Sequence, residues 1–259
     1  MFHFFLEEQA LAEEGAEAFP LRLTSEDMKH ASVVRLAPGE RIAVVDGARD
    51  YFLCEVTAFD GTELWARIAS REERSAAEPS ITLVQGIAKG DKMETIVRHG
   101  TEVGVDRFIP FASERSIVRL DGKKAAAKRE RWQAIARSAA MQAGRRAVPA
   151  VELPASLDAI ADVIASADRV LIAWEEASEE ATVGRALEGL GEQGVADPPS
   201  VAIVVGPEGG LSSQEVYFLQ NALPQSAVIT LGPYILRTET AGIVTPALVL
   251  QRLREGVLR

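Results

Sequence analysis

The first 75 residues carry their apolar side chains in short alternating runs, which predict strands and not long helices. Asp46-Gly47 and Asp60-Gly61 separate these runs, and Asp-Gly between alternating runs is a strong signal for a hairpin turn. A short helix is predicted at 28–35. Several strands at this spacing indicate a small barrel. The predicted strands are 41–45, 51–58 and 63–68.

From residue 80 onwards, apolar strand-like runs alternate with segments that have helical spacing. This alternation predicts an α/β fold with a mostly parallel sheet that is covered by helices on both faces. Pro246 falls inside the last predicted helix, which either kinks there or restarts with Thr245 as its cap. The predicted strands are 81–87, 107–111, 170–174, 201–205 and 227–231. The predicted helices are 93–104, 125–144, 178–190, 213–222 and 240–253. A linker is expected at 70–79 and a loop at 191–200.

Composition places the chain among ordinary globular proteins. It has 259 residues, of which 47% are hydrophobic and 25% charged, enough for one large or two smaller domains. No apolar stretch approaches the roughly 20 residues that span a bilayer, and the acidic N-terminus does not read as a signal peptide. The single cysteine, Cys54, lies in an alternating run, so we expect a buried structural thiol and a reducing, cytoplasmic location.

The net charge of −10 is unevenly distributed along the chain. Residues 81–150 hold 14 basic and 7 acidic side chains, whereas residues 1–80 and 151–259 are both acidic. A polyanionic partner would be held by the central segment. A solvated, basic helix face explains the same charges equally well, and charge alone leaves both interpretations open.

Two glycine-rich turns near the C-terminus each follow a predicted strand. The first is VAIVVGPEGGLSSQE, residues 201–215, and the second is VITLGPYILRTETAG, residues 228–242. Ser212 and Glu215 form a capping-box pattern, so a helix with free amide donors is predicted to start there. Turns that follow neighbouring parallel strands lie at one edge of the sheet, where α/β proteins bind small ligands.

The second turn also carries two charged residues, Arg237 and Glu239, in a mainly apolar stretch. They are candidates for chemistry, and a structural Arg–Glu pair is the alternative. Thr238 and Thr240 in the same turn are either part of the site or simple helix caps.

The paired motifs GPEGG and LGPYILRTETAG resemble the C-terminal signature of the RsmE-type 16S ribosomal RNA (uracil-N3)-methyltransferases of the SPOUT superfamily. The segments KGDKMETIVRHGTEVGVDRFIPFASERSIVR (89–119) and ERWQAIARSAAMQAGRRAVP (130–149) are similar to the central blocks of that family. KHASVVRLAPGERI (29–42) resembles its N-terminal RNA-binding barrel. The resemblance covers nearly the whole chain.

This resemblance implies a PUA-like β-barrel RNA-binding domain at 1–75 and a SPOUT methyltransferase domain with a C-terminal trefoil knot at 76–259. It implies that the protein is a homodimer that uses S-adenosylmethionine to methylate N3 of a specific uridine in small-subunit ribosomal RNA, within the 30S subunit. No metal is expected. A SPOUT enzyme with another RNA target and a non-catalytic RNA-binding assembly factor are the competing functions.

The same resemblance assigns roles to individual residues. The catalytic candidates are Arg237, Glu239 and Thr240. The cofactor-binding candidates are Trp174, Glu175, Gly206, Pro207, Glu208, Gly209, Gly210, Leu231, Gly232, Ile235 and Leu236. The RNA-binding candidates are His30, Arg35, Lys89, Lys92, Arg115, Lys123, Lys124, Arg145 and Arg146. The chain departs from the family pattern at His3, His99, Ser138 and Met141, and we expect His99 to pack against its helix neighbours.

Overall fold

The computed structural model describes residues 1–72, 78–116, 122–190 and 198–257. The chain divides into two compact units, of which the first comprises Met1–Ala76 with Ala140–Val148 and the second Ala77–Ala139 with Pro149–Arg259. Sequence analysis placed 140–148 in the second domain, and its boundary at 75/76 lies outside the described residues. Within those residues, no helix combines the length and apolar character needed to cross a bilayer.

The first unit is built on a five-stranded sheet with the order β1-β3-β4-β5-β2. Strand β1 is parallel to β3, and the other neighbouring pairs are antiparallel. The strand predicted at 41–45 is confirmed as β3, the one at 51–58 lies within the longer β4, and the one at 63–68 begins one residue before β5, which continues to residue 72. The elements are β1 (Phe2–Phe5), β2 (Phe19–Pro20), α1 (Ser25–Val33), β3 (Arg41–Val45), β4 (Tyr51–Phe59) and β5 (Leu64–Glu72).

Three elements of the first unit differ from the prediction, and one of them is the two-residue strand β2, which was missed. Helix α1 begins three residues earlier than predicted because the Thr24 side chain caps it, accepting a hydrogen bond from the Asp27 amide at 3.1 Å. Strand β1 was missed because FHFF is apolar without alternation, and Phe4 and Phe5 are both buried. Cys54 is fully buried in the core of this unit, and burial raises its pKa to about 12, which confirms a structural thiol.

The second unit contains a six-stranded sheet with the order β11-β9-β10-β6-β7-β8, in which every neighbouring pair is parallel. The predicted α/β class with a mostly parallel sheet is therefore confirmed. The elements are β6 (Ser80–Gly86), α2 (Lys92–Val103), β7 (Arg107–Phe111), α3 (Gly122–Gln142), β8 (Ala150–Val151), α4 (Leu157–Ile164), β9 (Arg169–Ala173), α5 (Val183–Ala186), β10 (Ser200–Val205), α6 (Ser213–Ala222), β11 (Ser226–Ile229) and α7 (Thr238–Val257).

Both faces of this sheet are buried, as the central strand β10 shows. Its residues Val201, Ile203 and Val205 join one apolar cluster, and Ala202 and Val204 join another. Successive side chains of a strand point to opposite faces, so one continuous apolar run supplies two cores. Helices α2, α3 and α7 contribute to the first cluster, and α4 and α6 to the second.

The helix predicted at 178–190 is reduced to the single turn of α5. The Thr182 side chain caps this turn, and the preceding segment has another partner because the Ala181 carbonyl accepts a 2.8 Å hydrogen bond from the Thr230 amide. Of the loop predicted at 191–200, residues 191–197 lie outside the described residues. Helix α4 was missed although Ser156 caps it and its buried residues recur at helical spacing.

Helix α7 begins at Thr238 and runs through Pro246. It does not restart at that proline. Thr245 does not act as a cap, because its hydroxyl donates to the carbonyl of Ala241 one turn earlier at 2.7 Å. The sequence alternatives for this segment are thereby reduced to one helix that contains the proline.

Candidate active site

A cavity of about 520 Å3 lies at the carboxyl ends of β9, β10 and β11. Its walls come from residues 173–175 after β9, the turn 205–210 after β10 and the loop 230–238 after β11. Neighbouring parallel strands end at the same edge of a sheet, which is why the two glycine turns meet there. All eleven residues predicted to bind the cofactor line this cavity.

Two glycines permit the close packing of the first turn. A Cβ on Gly86, at the end of β6, would overlap the backbone nitrogen of Pro207. Gly210 has φ +69°, and a Cβ there would collide with the Glu175 carboxylate. The turn therefore sits directly against β6 on one side and against the segment after β9 on the other.

The start of α6 fixes the far end of this turn. The Ser212 side chain accepts from the Glu215 amide at 3.2 Å, and the Glu215 carboxylate accepts from the Ser212 amide at 2.8 Å, which confirms the capping box. The same buried carboxylate also accepts from the Ser113 hydroxyl at 3.1 Å and the Glu114 amide at 2.9 Å. Glu215 thus links the loop after β7 to the turn that forms the cavity wall.

Lys92, in the first turn of α2, lies on the cavity wall between two carboxylates. Its Nζ is 3.0 Å from Glu208 Oε1 and 3.6 Å from Glu239 Oε2. The hydrogen bond to Glu208 is the largest cause that raises the pKa of Lys92. Sequence analysis assigned Lys92 to RNA phosphates, whereas the structure places its charge in an ion pair at the cavity.

Arg237 also lines the cavity and is exposed. Its guanidinium has no ion pair or hydrogen bond with any residue that the structure describes, so the alternative of a structural pair with Glu239 is wrong. Glu239 Oε2 is buried without a hydrogen-bond partner in the described part of the chain. Glu239 and Thr240 do not line the cavity, and Glu239 reaches it through Lys92.

Thr238 connects the second turn to the first. Its hydroxyl donates to the Gly206 carbonyl at 2.6 Å and accepts from Gln85 Nε2 at 2.9 Å. These bonds occupy the side chain, so the interpretation of Thr238 as a simple helix cap is wrong. Sequence analysis missed Gln85, although a lone amide in the apolar run ITLVQG is a recognisable signal.

The RNA-binding candidates are distributed over both units. In the second unit, Arg115 Nη1 donates to the Gly209 carbonyl at 2.9 Å, and Lys89, Lys123 and Lys124 are exposed. Arg115 therefore supports the first turn from outside the cavity. Lys89 is close to the same turn, since its amide donates to Glu208 at 3.0 Å.

In the first unit, exposed His30 lies with its ring edge-on to Phe2, and Arg35 follows α1 with a positive φ of 55°. Arg146 pairs with Glu72 at 2.8 Å, and its guanidinium lies 4.8 Å from the centre of the Tyr51 ring. Arg145, its neighbour, is partly buried.

The positions at which the chain departs from the family pattern have ordinary structural surroundings. His3 is buried and stacks on Phe5, with ring centres 4.9 Å apart. His99 Nδ1 lies 2.9 Å from Glu102 Oε2 on the same helix, as expected for contact with a helix neighbour. Met141 packs against the apolar core of the first unit, and Ser138 is exposed.

Comparisons with known proteins agree on one group of enzymes. The RNA methyltransferase domain family matches residues 76–250. Ribosomal RNA small subunit methyltransferase E of Bacillus subtilis is 34% identical over 227 residues, which cover 87% of each chain. Its namesake from Aquifex aeolicus is 33% identical over 224 residues, covering 85% of this chain and 90% of that protein.

A solved structure of the same kind superposes over nearly the whole chain. It is the ribosomal RNA small subunit methyltransferase E of Neisseria gonorrhoeae bound to S-adenosyl methionine, with a TM-score of 0.77 and 29% identity. The match covers 97% of each chain.

Proposed function

This chain belongs to the ribosomal RNA small subunit methyltransferase E family, and we propose that it transfers a methyl group from S-adenosylmethionine to N3 of a specific uridine in 16S ribosomal RNA. The observation that carries this proposal is the cavity between the two glycine turns, with the unpaired Arg237 guanidinium on its wall. A glycine-lined pocket holds a small molecule, and a free cation beside it serves a substrate that becomes negatively charged.

The cavity fits S-adenosylmethionine in size and in polarity. Its volume of about 520 Å3 lies within the usual range for small-molecule sites. Gly206, Gly209 and Gly232 leave parts of its wall without side chains, so a ligand can approach the backbone closely there. The carboxylate of Glu175 on the wall suits a ligand with positively charged groups, whereas that of Glu208 is paired with Lys92.

We assign the cofactor to the two glycine turns and to Trp174 and Glu175 beside them. When bound, S-adenosylmethionine supplies an electrophilic methyl group on its sulfonium sulfur. The protein has to hold the uracil ring in line with that methyl group, which is mainly a proximity effect. The 230–238 loop forms one wall of the cavity and so helps to fix the position of the bound cofactor.

Arg237 provides the electrostatic part of the mechanism. Methylation at N3 breaks the bond between the methyl group and the sulfonium sulfur, and the N3 imide proton passes to bulk water. As this proton leaves, negative charge develops on the uracil oxygens. A guanidinium with unused donors stabilises such an anion. Glu239 supports the site through Lys92, whose ammonium it approaches at 3.6 Å. No role is assigned to Thr240, which lies off the cavity wall.

The finer features of the fold and the partners belong to the same proposal. The five-stranded sheet of the first unit fits a PUA-like RNA-binding barrel, and the α7 segment fits the threaded part of a trefoil knot. The protein is a cytoplasmic homodimer that acts on the 30S subunit. In support of a dimer, Tyr234 and Ile235 on the rim of the cavity are 82% and 87% exposed, an unusual position for apolar side chains unless a second copy covers them.

The direct test is to incubate the purified protein with S-adenosylmethionine and with 30S subunits from a strain that lacks the gene. Mass spectrometry of the digested 16S RNA is expected to show one N3-methyluridine that is absent without the protein. Methylation at another atom or in another RNA would overturn the assigned substrate. Cofactor binding with no methylation of any RNA would favour an assembly factor.

A further inference from the structure

Gln85 occupies a buried position where three segments of the second unit meet. It is 1% exposed and lies one residue before the end of β6. Its Nε2 is 2.9 Å from Thr238 Oγ1, 3.3 Å from the Gly206 carbonyl and 3.2 Å from the Gly86 carbonyl. The amide therefore joins β6 to the first glycine turn and to the first residue of α7.

The orientation of this amide follows from its neighbours. Two of the three atoms near Gln85 Nε2 are carbonyl oxygens. The third, Thr238 Oγ1, donates its own proton to the Gly206 carbonyl at 2.6 Å. All three are acceptors towards Gln85, so the nitrogen has to face them. A carboxylate of the same shape would place a negative oxygen against three acceptors.

The other end of the amide is left unsatisfied. Gln85 Oε1 is buried and has no hydrogen-bond partner among the described residues. It faces Gly242 of α7, where an added Cβ would come within 2.6 Å of it. A buried amide oxygen without a donor is unfavourable, and such a group in a native protein calls for a reason beyond stability.

That reason lies in what the amide connects. Thr238 and Gly206 both line the cavity, one on each glycine turn, whereas Gln85 does not line it. Thr238 is also flanked by Arg237 and Glu239, so fixing its hydroxyl fixes the start of α7 and the direction in which Arg237 leaves the backbone.

We propose that Gln85 is a positioning residue for methyl transfer, which locks the two cofactor turns together through the Gly206 carbonyl and the Thr238 hydroxyl. This inference rests on the proposed function. These hydrogen bonds fix the spacing between the two turns that line the cofactor cavity. They also hold Arg237 at the place where the uracil binds. Loss of these hydrogen bonds weakens cofactor binding and also slows the reaction when cofactor and RNA are saturating.

The test uses full-length variants with matched controls. Gln85→Met keeps the length of the side chain and removes its donors, and Thr238→Val removes the hydroxyl while keeping the shape. Gln133→Met is the control, because Gln133 also bonds the backbone through its amide, to Pro149 and Val151, away from the cavity. Thr238→Ser retains the hydroxyl. S-adenosylmethionine affinity is measured by calorimetry, turnover on 30S subunits by methyl incorporation, and the melting temperature in the same buffer.

Gln85→Met and Thr238→Val are each expected to weaken cofactor binding about tenfold and to lower kcat. The double variant is expected to be little worse than either single one, because both changes break the same connection. Thr238→Ser, which keeps the hydroxyl, is expected to bind S-adenosylmethionine with an affinity within about twofold of that of the unaltered protein. Gln133→Met is expected to lower the melting temperature without changing affinity.

Two results would overturn the inference. One is unchanged affinity and kcat in Gln85→Met. The other is a double variant whose losses multiply, since the two residues would then act independently. If Gln85→Met does not fold, the comparison of Thr238→Val with Thr238→Ser still tests the inference. Equal affinity of those two variants for S-adenosylmethionine would also overturn it. Failure of the unaltered protein to bind S-adenosylmethionine would instead count against the proposed function.

Discussion

The ammonium of Lys92 lies 3.0 Å from the carboxylate of Glu208. Partial burial acts to raise the pKa of Glu208, but hydrogen bonds from the Lys89 amide, from its own backbone amide and from Lys92 outweigh this effect and lower it. The pKa of Lys92 is raised in turn. The pair therefore keeps a salt bridge on the cavity wall throughout the neutral range.

Replacing Lys92 with methionine should lower the melting temperature by about 1–3 °C at pH 7, because a partly exposed ion pair contributes little. The lowered pKa of Glu208 means that its contribution is present above its unfolded pKa of about 4.3 and is lost as the pH falls through the folded value. The raised pKa of Lys92 means that its contribution is present below about 10.4 and is lost as the pH rises through the folded value. Calorimetry at several pH values should show the largest difference between the two proteins from about pH 5 to 10.

Lys123→Met is the matched control, since Lys123 is exposed near the start of α3. Its melting temperature is expected to match that of the unaltered protein at every pH. A difference for Lys92→Met that stays constant down to pH 3.5 would contradict the ion pair as its cause.

Much of the site was predictable because the physical rule that forms it is local. Apolar runs that stop at Gly206 and at Leu231-Gly232 are typical of parallel strands, and the carboxyl ends of such strands meet at one edge. The capping box at Ser212 was readable for the same reason, since its two partners are three residues apart.

The cavity positions that sequence analysis missed depend on how the strands and helices are arranged in space, which local patterns do not encode. Lys92 reaches the cavity because β6 lies beside β10 in the sheet, although 114 positions separate Lys92 from Gly206 in the chain. Gln85 meets Thr238, 153 positions away in the chain, because α7 packs against β6 and β10. The helix predicted at 178–190 failed because a tertiary hydrogen bond to Ala181 competes with helix formation.

Replacing Arg237 with alanine should lower kcat by roughly 10²–10³-fold, the usual effect of removing a donor that stabilises a developing anion. S-adenosylmethionine affinity should stay within about twofold, because the exposed guanidinium is assigned to the RNA base and not to the cofactor. Arg237→Lys should recover little activity, since an ammonium lacks the planar pair of donors. Methyl incorporation into 30S subunits and calorimetry measure the two effects separately.

Arg185→Ala is the control for loss of a positive charge. Arg185 lies on α5 and pairs with Glu180 on the surface, at 2.9 Å. It should be as active as the unaltered protein. Normal turnover in Arg237→Ala would refute the catalytic role of Arg237.

The thiol of Cys54 should be inert in the folded protein. It is fully buried, and burial raises its pKa to about 12, so almost no thiolate is present near pH 8. Because it is the single cysteine, reaction with a thiol reagent reports on this residue alone. We expect no reaction over an hour in buffer and one equivalent after addition of guanidinium chloride. Prompt reaction of the folded protein would show that the core of the first unit opens readily.

The first unit should lose stability on mild acidification because of His3. Burial lowers the pKa of this imidazole to about 4, against about 6.5 in the unfolded chain. The unfolded state therefore binds a proton before the folded state does. The free energy of unfolding therefore keeps its full value above pH 6.5. It decreases as the pH falls towards 4, by on the order of 3 kcal/mol.

Replacing His3 with phenylalanine should remove this pH dependence. A phenyl ring retains the stacking on Phe5 and carries no titrating group, and the Nε2 of His3 has no hydrogen-bond partner to lose among the described residues. Urea unfolding at pH 7.5, 6, 5 and 4.5 gives the free energy of unfolding for each protein. His30→Gln is the control, because His30 is exposed and its replacement should leave the acid sensitivity in place. Parallel loss of stability in the unaltered protein and in His3→Phe would mean that other groups cause the acid sensitivity.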